Sequence, residues 1–456
     1  VYFPPGTYLF HSTITMPDSA TIRGESSSLT HFVFHLGGEG HNCFAISKGQ
    51  PGDFSTVVNN PEKGSYKIVV EDPASFTGSQ YAELRQKNGE WDSNPISWGQ
   101  YAVGQMVFIT HLSGDTLIIK NPLRANYESN LDPEIRPITP AHEIGIECLK
   151  ISRLDNSTQS VGYNIYMGFA SNCWVKGVES NKSVGSHIYL TRSTNVEISG
   201  CYIHHAFDYD GSGTRGYGIT LNMHTGQCLI ENNILKHLRH ALMVKTGANG
   251  NVFAYNYSIE PYRTEPVHDF SGDISLHGHY AFANLFEGNI VQNIIIDHYW
   301  GPSGPWNTIF RNRTELYGII MTFSDTTQTN NQNLVGNEVV NNEILFGNYI
   351  LSGEGHFEYG NNLKGIIHPE GTNILNDSSY YRNSIPQFWD IYDPWPPIGI
   401  PHDTNEHTIP AKHRYLHGNE KTVCHNSLYT SIQHTEEPSF KLYPNPGKGI
   451  LHYQST

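Results

Sequence analysis

The sequence predicts an all-β chain wound as one right-handed parallel β-helix, a solenoid carrying a β-rich insertion, and three observations lead there. The composition is rich in turn formers and poor in helix surface: 456 residues hold Gly 43 and Pro 25 and are only 16% charged, against about 25% in an average soluble protein. A short pattern recurs through the middle of the chain. No stretch carries the period of an amphipathic helix or the heptads of a coiled coil.

The recurring pattern is an amide, an apolar-rich run, and Gly or Asn five positions on. It reads Asn172-Cys-Trp-Val-Lys-Gly177, then begins again at Asn195, Gln227, Asn251, Asn284, Asn307 and Gln332. Successive starts lie 23, 32, 24, 33, 23 and 25 residues apart, so the unit is 23–25 residues and two units are enlarged. Two or three short strand-like runs per unit, broken by Asn and Gly, suit one coil of a β-helix, where those residues occupy sharp left-handed bends. Leucine-rich repeats need denser Leu, and propeller blades need about 40 residues each. The amides of Asn249-Gly-Asn251 and Glu231-Asn-Asn233 are expected to stack as ladders from coil to coil.

In chain order, residues 1–50 form the first coils. Residues 51–140 break the period with the runs Tyr66–Val70, Gln105–Thr110 and Asp115–Ile119, read as the β-rich insertion packed on the helix. Residues 141–415 form the main helix, whose Pro- and aromatic-rich part from Tyr380 covers the coil end. Residues 416–456 are a linker and tail. The opening Val1-Tyr-Phe-Pro-Pro-Gly6 has no leader and reads as the middle of a structured segment, so a mature or truncated chain is expected.

Six Cys are too few for a disulfide scaffold and lack zinc-finger spacing; Cys148, Cys173, Cys201 and Cys228 sit in apolar runs and read as small buried hydrophobes. The net charge of −15 gives no general attraction to nucleic acid or anionic lipid. No apolar run reaches the length that spans a bilayer, so neither nucleic acid nor membrane insertion is expected, and the chain reads as a monomer.

Candidate chemistry concentrates on the two enlarged units. One carries His204, His205, Asp208, Asp210, Arg215 and Tyr217; the other carries Arg263, Glu265, His268, Asp269 and Asp273. Between and beside them stand Arg239, His240, Lys245, His277 and His279. If Leu190, Leu221, Val244 and Leu276 point inward, alternation sends Tyr189, Asn222, Lys245 and His277 outward in one column, with coils about 4.8 Å apart. Such a column between two long loops makes a groove for a linear polymer.

Two reactions fit these residues. Glycoside hydrolysis needs a carboxyl pair about 5–9.5 Å apart; Asp208, Asp210, Asp269 and Asp273 are the candidates, tuned by His205 or His240. The surplus of Asp favours this reading. β-Elimination from a uronide needs a cation beside the carboxylate and a base for the C5 proton, roles open to Lys245, His240, His277, Arg239 and Tyr217. Trp300 and Trp306 are candidate sugar platforms, and Arg311 and Arg313 candidate grips for sulfate or carboxylate. Neither reaction requires a cofactor. Calcium on Asp side chains and loop carbonyls fits as well as a transition metal on His277-Gly-His279. A non-catalytic glycan-binding adhesin is the rival of a different class.

The segments Tyr2-Phe-Pro-Pro-Gly-Thr-Tyr8 and Thr21-Ile-Arg-Gly24 resemble the opening turns of the pectate-lyase-like β-helix superfamily, and Tyr202 to Arg313 is similar to secreted β-helix proteins of Bacteroidetes grouped with it. That resemblance implies a polysaccharide substrate and leaves the bond undetermined. Neither the polygalacturonase pattern of paired Asp with Gly-His-Gly nor an Arg-rich pectate-lyase signature is present, so pectin is disfavoured. Phe440-Lys-Leu-Tyr-Pro-Asn-Pro-Gly447 resembles the start of a type IX secretion sorting domain, which implies the type IX secretion machinery as a partner and an extracellular or cell-surface location.

Overall fold

Each coil of the chain lays one short strand on each of three parallel faces. The computed structural model describes residues 1–48, 51–265, 271–322, 324, 327–403 and 405–424. On the first face Thr21–Gly24, Gly145–Glu147, Ala170–Lys176, Thr194–Ser199, Leu229–Glu231 and Val252–Ala254 follow one another in parallel register, continuing to Phe357–Tyr359. Gly145–Glu147 lies directly beside Thr21–Gly24, so the sheet at residues 55–138 is spliced in without breaking the stack.

The third face explains the inward period. Ile46, Met167, Leu190, Leu221, Val244, Leu276, Ile296 and Met321 stand in register, one per coil, and all are buried in the central core. Burial of each side chain contributes about 1.5–3 kcal/mol. A point change here is therefore felt along the stack.

The bends refine the repeat. Leu229 pairs with Val252, so Cys228, not Gln227, is the register partner of Asn251. Up to Gln227 the amide itself takes the left-handed bend, as at Asn172, Asn195 and Gln227 with φ of 53°, 53° and 58°. From the next coil on, Gly250, Ala283, Trp306 and Asn331 take the bend and the amide moves one residue inward. There Asn251, Asn284, Asn307 and Gln332 form a buried ladder at 2.9–3.0 Å. A second ladder joins Asn233, Asn256, Asn289, Asn312, Asn337 and Asn361 at 2.8–3.2 Å. Each amide is thereby satisfied in a place water does not reach. Asn249 and Asn232 stand outside the ladders, accepting hydrogen bonds from Arg124 and Arg414.

Residues 55–138 form a separate six-stranded antiparallel sheet, with Tyr81–Arg85 between Glu134–Ile138 and Gly104–Ser113. It is pinned to the helix by a buried charge cluster. The Glu83 carboxylate accepts from Arg136 at 2.5 Å, from Arg192 at 2.8 Å and from His224 Nδ1 at 2.8 Å, while His224 Nε2 donates to the Tyr101 carbonyl at 2.7 Å. Burial alone would raise the Glu83 carboxyl; the His224 hydrogen bond and charge, with Arg192 and Arg136, outweigh it and hold the group well below the ordinary carboxylate range. At Gly247 (φ 69°) the insertion comes so close that an added Cβ would sit 1.7 Å from the Ala102 carbonyl oxygen.

The C-terminal segment corrects two expectations. It does not cover the coil end: Tyr381, Ile398, Ile409 and Ala411 pack along the flank of the first face against Ile234, Val252, Ala254 and Tyr255. Its last described residue, Cys424, forms a disulfide with Cys148, which is therefore not a free buried hydrophobe, whereas Cys173, Cys201 and Cys228 are free and buried. The pairing spans 276 residues and depends on the strap running back along the helix, which no local spacing announces. The segment resembling a secretion signal, Phe440 to Gly447, lies outside the described residues. Among the described residues no helix is long and apolar enough to cross a membrane.

Candidate functional site

Where the strands of the third face end, the residue after each inward side chain turns outward. Backbone hydrogen bonds from Lys245 to Leu221, His277 to Val244, Asp297 to Leu276 and Thr322 to Ile296 set the steps, so Asn222, Lys245, His277, Asp297 and Thr322 follow in a column, one per coil. Tyr189 stands in the neighbouring column, pairing with Thr220 rather than Asn222, but its hydroxyl accepts from Asn222 Nδ2 at 2.7 Å. Tyr163, Tyr166 and Tyr189 stack beside it, the first and last with centroids 4.4 Å apart.

The centre of the column is chemically unusual. Lys245 Nζ lies 5.3 Å from the centre of the Trp98 ring, which the insertion supplies. Among the described residues it has no carboxylate or hydrogen-bond partner, and burial pulls its ammonium down to about 8. On the next coil His277 donates through Nδ1 to Asp297 on the coil after that. This bond fixes the tautomer, leaving Nε2 as the lone-pair nitrogen. Trp98 and Trp300 form a wall with ring centres 5.8 Å apart, and Trp300 lies 6.4 Å from His277.

Under this ledge lies a neutral buried shell. His240, 5.5 Å from His277 between ring centres, accepts from the Gly272 N–H at 3.3 Å, and burial with the nearby Arg239 charge drives it well below the ordinary imidazole value. Tyr217 meets its ring edge-on at 4.7 Å, and burial raises the phenol. Asp273 is 1% exposed. Its carboxyl accepts from the Gln292 N–H at 2.6 Å, and burial pushes it up to about 7. These groups support the ledge and do not open onto it.

The described candidate carboxylates of the expected pair are each committed to other contacts. Asp208 accepts from Asn156 at 2.9 Å, and Asp210 pairs with Arg215 at 2.8 Å and caps the Ser212 N–H, so both hold a loop in shape. Asp273 is buried, and Asp269 lies outside the described residues. The two long loops do meet, through the Gly211 N–H and Glu265 at 2.6 Å. His205 sits at a bend (φ 56°) stacked on His237 at 4.9 Å, away from the column, with burial and His204 lowering it to about 4.

Several other candidates are structural. Arg239 donates to the Arg215 and Gly213 carbonyls, and Arg311 to those of Ile398, Ile400, Asp377 and Leu375. Arg313 is buried on Glu338 at 2.6 Å. Trp306 takes a bend with Lys63 Nζ 3.7 Å above its ring, under the insertion. His279 does not share a metal with His277: it is buried, at φ 44°, with Nε2 3.4 Å from Asp92 and its ring 5.2 Å from Trp98. Asp297 and Trp98 were not singled out in the sequence. Continuing the column one coil past His277, after the run Ile294-Ile-Ile296, leads to Asp297; nothing local leads to Trp98.

No family model matches the chain, and no curated protein does. Among solved structures it is similar to the tailspike gp61 of Pseudomonas phage phi297, at 13% identity and a TM-score of 0.53 over 74% of this chain and 60% of that one. The tailspike protein of E. coli bacteriophage HK620, solved in complex with a pentasaccharide, is 12% identical with a TM-score of 0.44, over 79% of this chain and 54% of that one. This chain thus spans little more than half the length of these structures. The likeness to the phi297 tailspike establishes that this chain has the parallel β-helix fold.

Proposed function

We propose that the chain acts on an anionic polysaccharide at the Lys245–His277–Asp297 ledge, and that it does so by β-elimination. The observation that carries this reading is an unpaired, desolvated ammonium one coil from a carboxylate-oriented imidazole, beside stacked Tyr rings. Near neutral pH the Lys245 ammonium neutralises a uronate carboxylate, which acidifies the adjacent C5 proton. His277 Nε2 takes that proton, and Asp297 stabilises the resulting imidazolium. The C5–H electron pair becomes the C4–C5 double bond as the C4–O bond breaks, and the leaving oxygen is protonated from solvent. Tyr189, Tyr166 and the Trp98–Trp300 wall give apolar faces for sugar rings.

Hydrolysis by a carboxylate pair, favoured by composition, loses support because Asp208 and Asp210 are spent on loop contacts. The Cys148–Cys424 disulfide supports an oxidising, extracellular location. The test is to incubate the protein with neutral, uronate-containing and sulfated polysaccharides while following reducing ends and absorbance near the unsaturated-uronide band. Both signals rising together is the expected result. Reducing ends alone would establish hydrolysis instead, and binding without either signal would make the chain a glycan-binding module.

A further inference from the structure

On the flanking strap, far in sequence from the ledge, His402, Glu406 and His407 bring one ligand atom each to within 4.8 Å of one another. His407 Nε2 and a Glu406 carboxylate oxygen are already 3.6 Å apart. Tetrahedral zinc with ligand bonds of about 2.0–2.1 Å needs donors roughly 3.4 Å from each other, a contraction that small side-chain rotations of the three ligands, Glu406 being exposed, supply.

The hydrogen bonds around the group select the tautomers a metal requires. His407 Nδ1 donates to Asp393 at 3.1 Å, which leaves Nε2 as a lone pair facing Glu406. His402 Nε2 donates to the Pro396 carbonyl at 3.1 Å, which leaves its Nδ1 as the lone pair. The two rings meet edge-to-face at 4.7 Å. A carboxylate or carbonyl behind each ligating imidazole is the outer arrangement that orients His for a transition metal. The backbone behind is also fixed: the Thr408 N–H donates to the same Asp393 oxygen at 3.1 Å, and Arg313 donates to the His407 carbonyl at 2.6 Å. A cavity of about 320 Å³ adjoins the group, lined by Arg313, Asp393, Glu406 and His407, and leaves room for a water as fourth ligand.

From this geometry we infer a binding site for a zinc-class divalent cation at His402, Glu406 and His407, which closes the turn of the strap between them. Two neutral imidazoles and one carboxylate suit zinc or cobalt and not calcium, which takes six to eight oxygens. Bound there, the cation rigidifies a turn of the strap that Arg313 ties to the β-helix through the His407 carbonyl.

The experiment titrates the metal-free full chain with Co2+, reading the visible ligand-field bands, and then with Zn2+ by calorimetry and thermal unfolding. One equivalent with tetrahedral cobalt bands, and a higher unfolding temperature with Zn2+, is expected. Glu406→Gln and His402→Ala should each remove the bands. Asp393→Asn should weaken Zn2+ binding by about 10–100-fold while the circular dichroism stays unchanged. Cobalt bands that persist in the His402→Ala, Glu406→Gln double variant, or absence of a one-equivalent event in the wild type, would overturn the site. Since the ledge shares none of these residues, activity on polysaccharide is expected to survive the variants, and its absence in the wild type would count against the ledge alone.

Discussion

His277 on one coil donates its Nδ1 hydrogen to Asp297 on the next, and the bond decides which ring nitrogen keeps the lone pair, one coil from Lys245. Asp297→Asn should keep the fold, since the side chain stands outside the core, and lower kcat by about 10²–10⁴-fold. His277→Ala should give a loss of the same order, and the double variant little more, because the two act as a unit. Steady-state rates on the responding polymer, with circular dichroism as the folding control, decide it.

Lys245 gives the alkaline limb. Its ammonium is drawn down by burial to about 8, so a reaction that uses the charged form declines as the pH rises through that value. Lys245→Met should abolish turnover at every pH and leave the unfolding temperature at pH 7 equal or higher, because a desolvated charge is replaced by an apolar chain of similar size. A variant that is inactive and also strongly destabilised would assign Lys245 to holding Trp98 instead.

Glu83 sits at the junction of the insertion with the helix. Its pKa is depressed in the folded state, so the stabilisation is present above the ordinary carboxylate value near 4.5 and is lost as the pH falls toward the lowered folded value. Glu83→Gln leaves Arg136, Arg192 and His224 facing a neutral group and should cost about 3–5 kcal/mol. Thermal unfolding at pH 7 measures it. Because the insertion carries Trp98, the same variant should also weaken binding at the ledge.

Asp273 runs the other way. Burial raises its folded pKa to about 7, so the folded chain holds a proton that the unfolded chain releases near pH 4. Stability linked to this group is present below the unfolded value and is lost as the pH rises through about 7. Asp273→Asn, which keeps an acceptor for the Gln292 N–H, should therefore flatten the decline in unfolding temperature between about pH 4 and 7.

The amide ladder carries a stability prediction independent of function. Asn289 donates to the Phe253 carbonyl at 2.8 Å and to Asn312 at 2.8 Å, and accepts from Asn256. Asn289→Ala strands several buried polar groups at once and should cost about 2–4 kcal/mol. Denaturant unfolding of the variant tests this.

The β-helix, the coil length and the inward stack of Leu190, Leu221, Val244 and Leu276 are legible in the amino-acid order, because a solenoid repeats one local rule: alternation on a strand, then a bend that Asn or Gly tolerates. The same rule placed Asn222, Lys245 and His277 in one outward column. What each outward residue meets depends on packing between distant segments. Asp208 and Asp210 look like a catalytic pair in the text, yet their loop folds back on Asn156 and Arg215. Trp98 reaches Lys245 from an insertion well over a hundred residues away in the chain, and Cys424 reaches Cys148 along the strap. Periodicity records which way a side chain points; the partners that shift a pKa, pair a charge or close a disulfide come from segments that share no local pattern, and only packing brings them together.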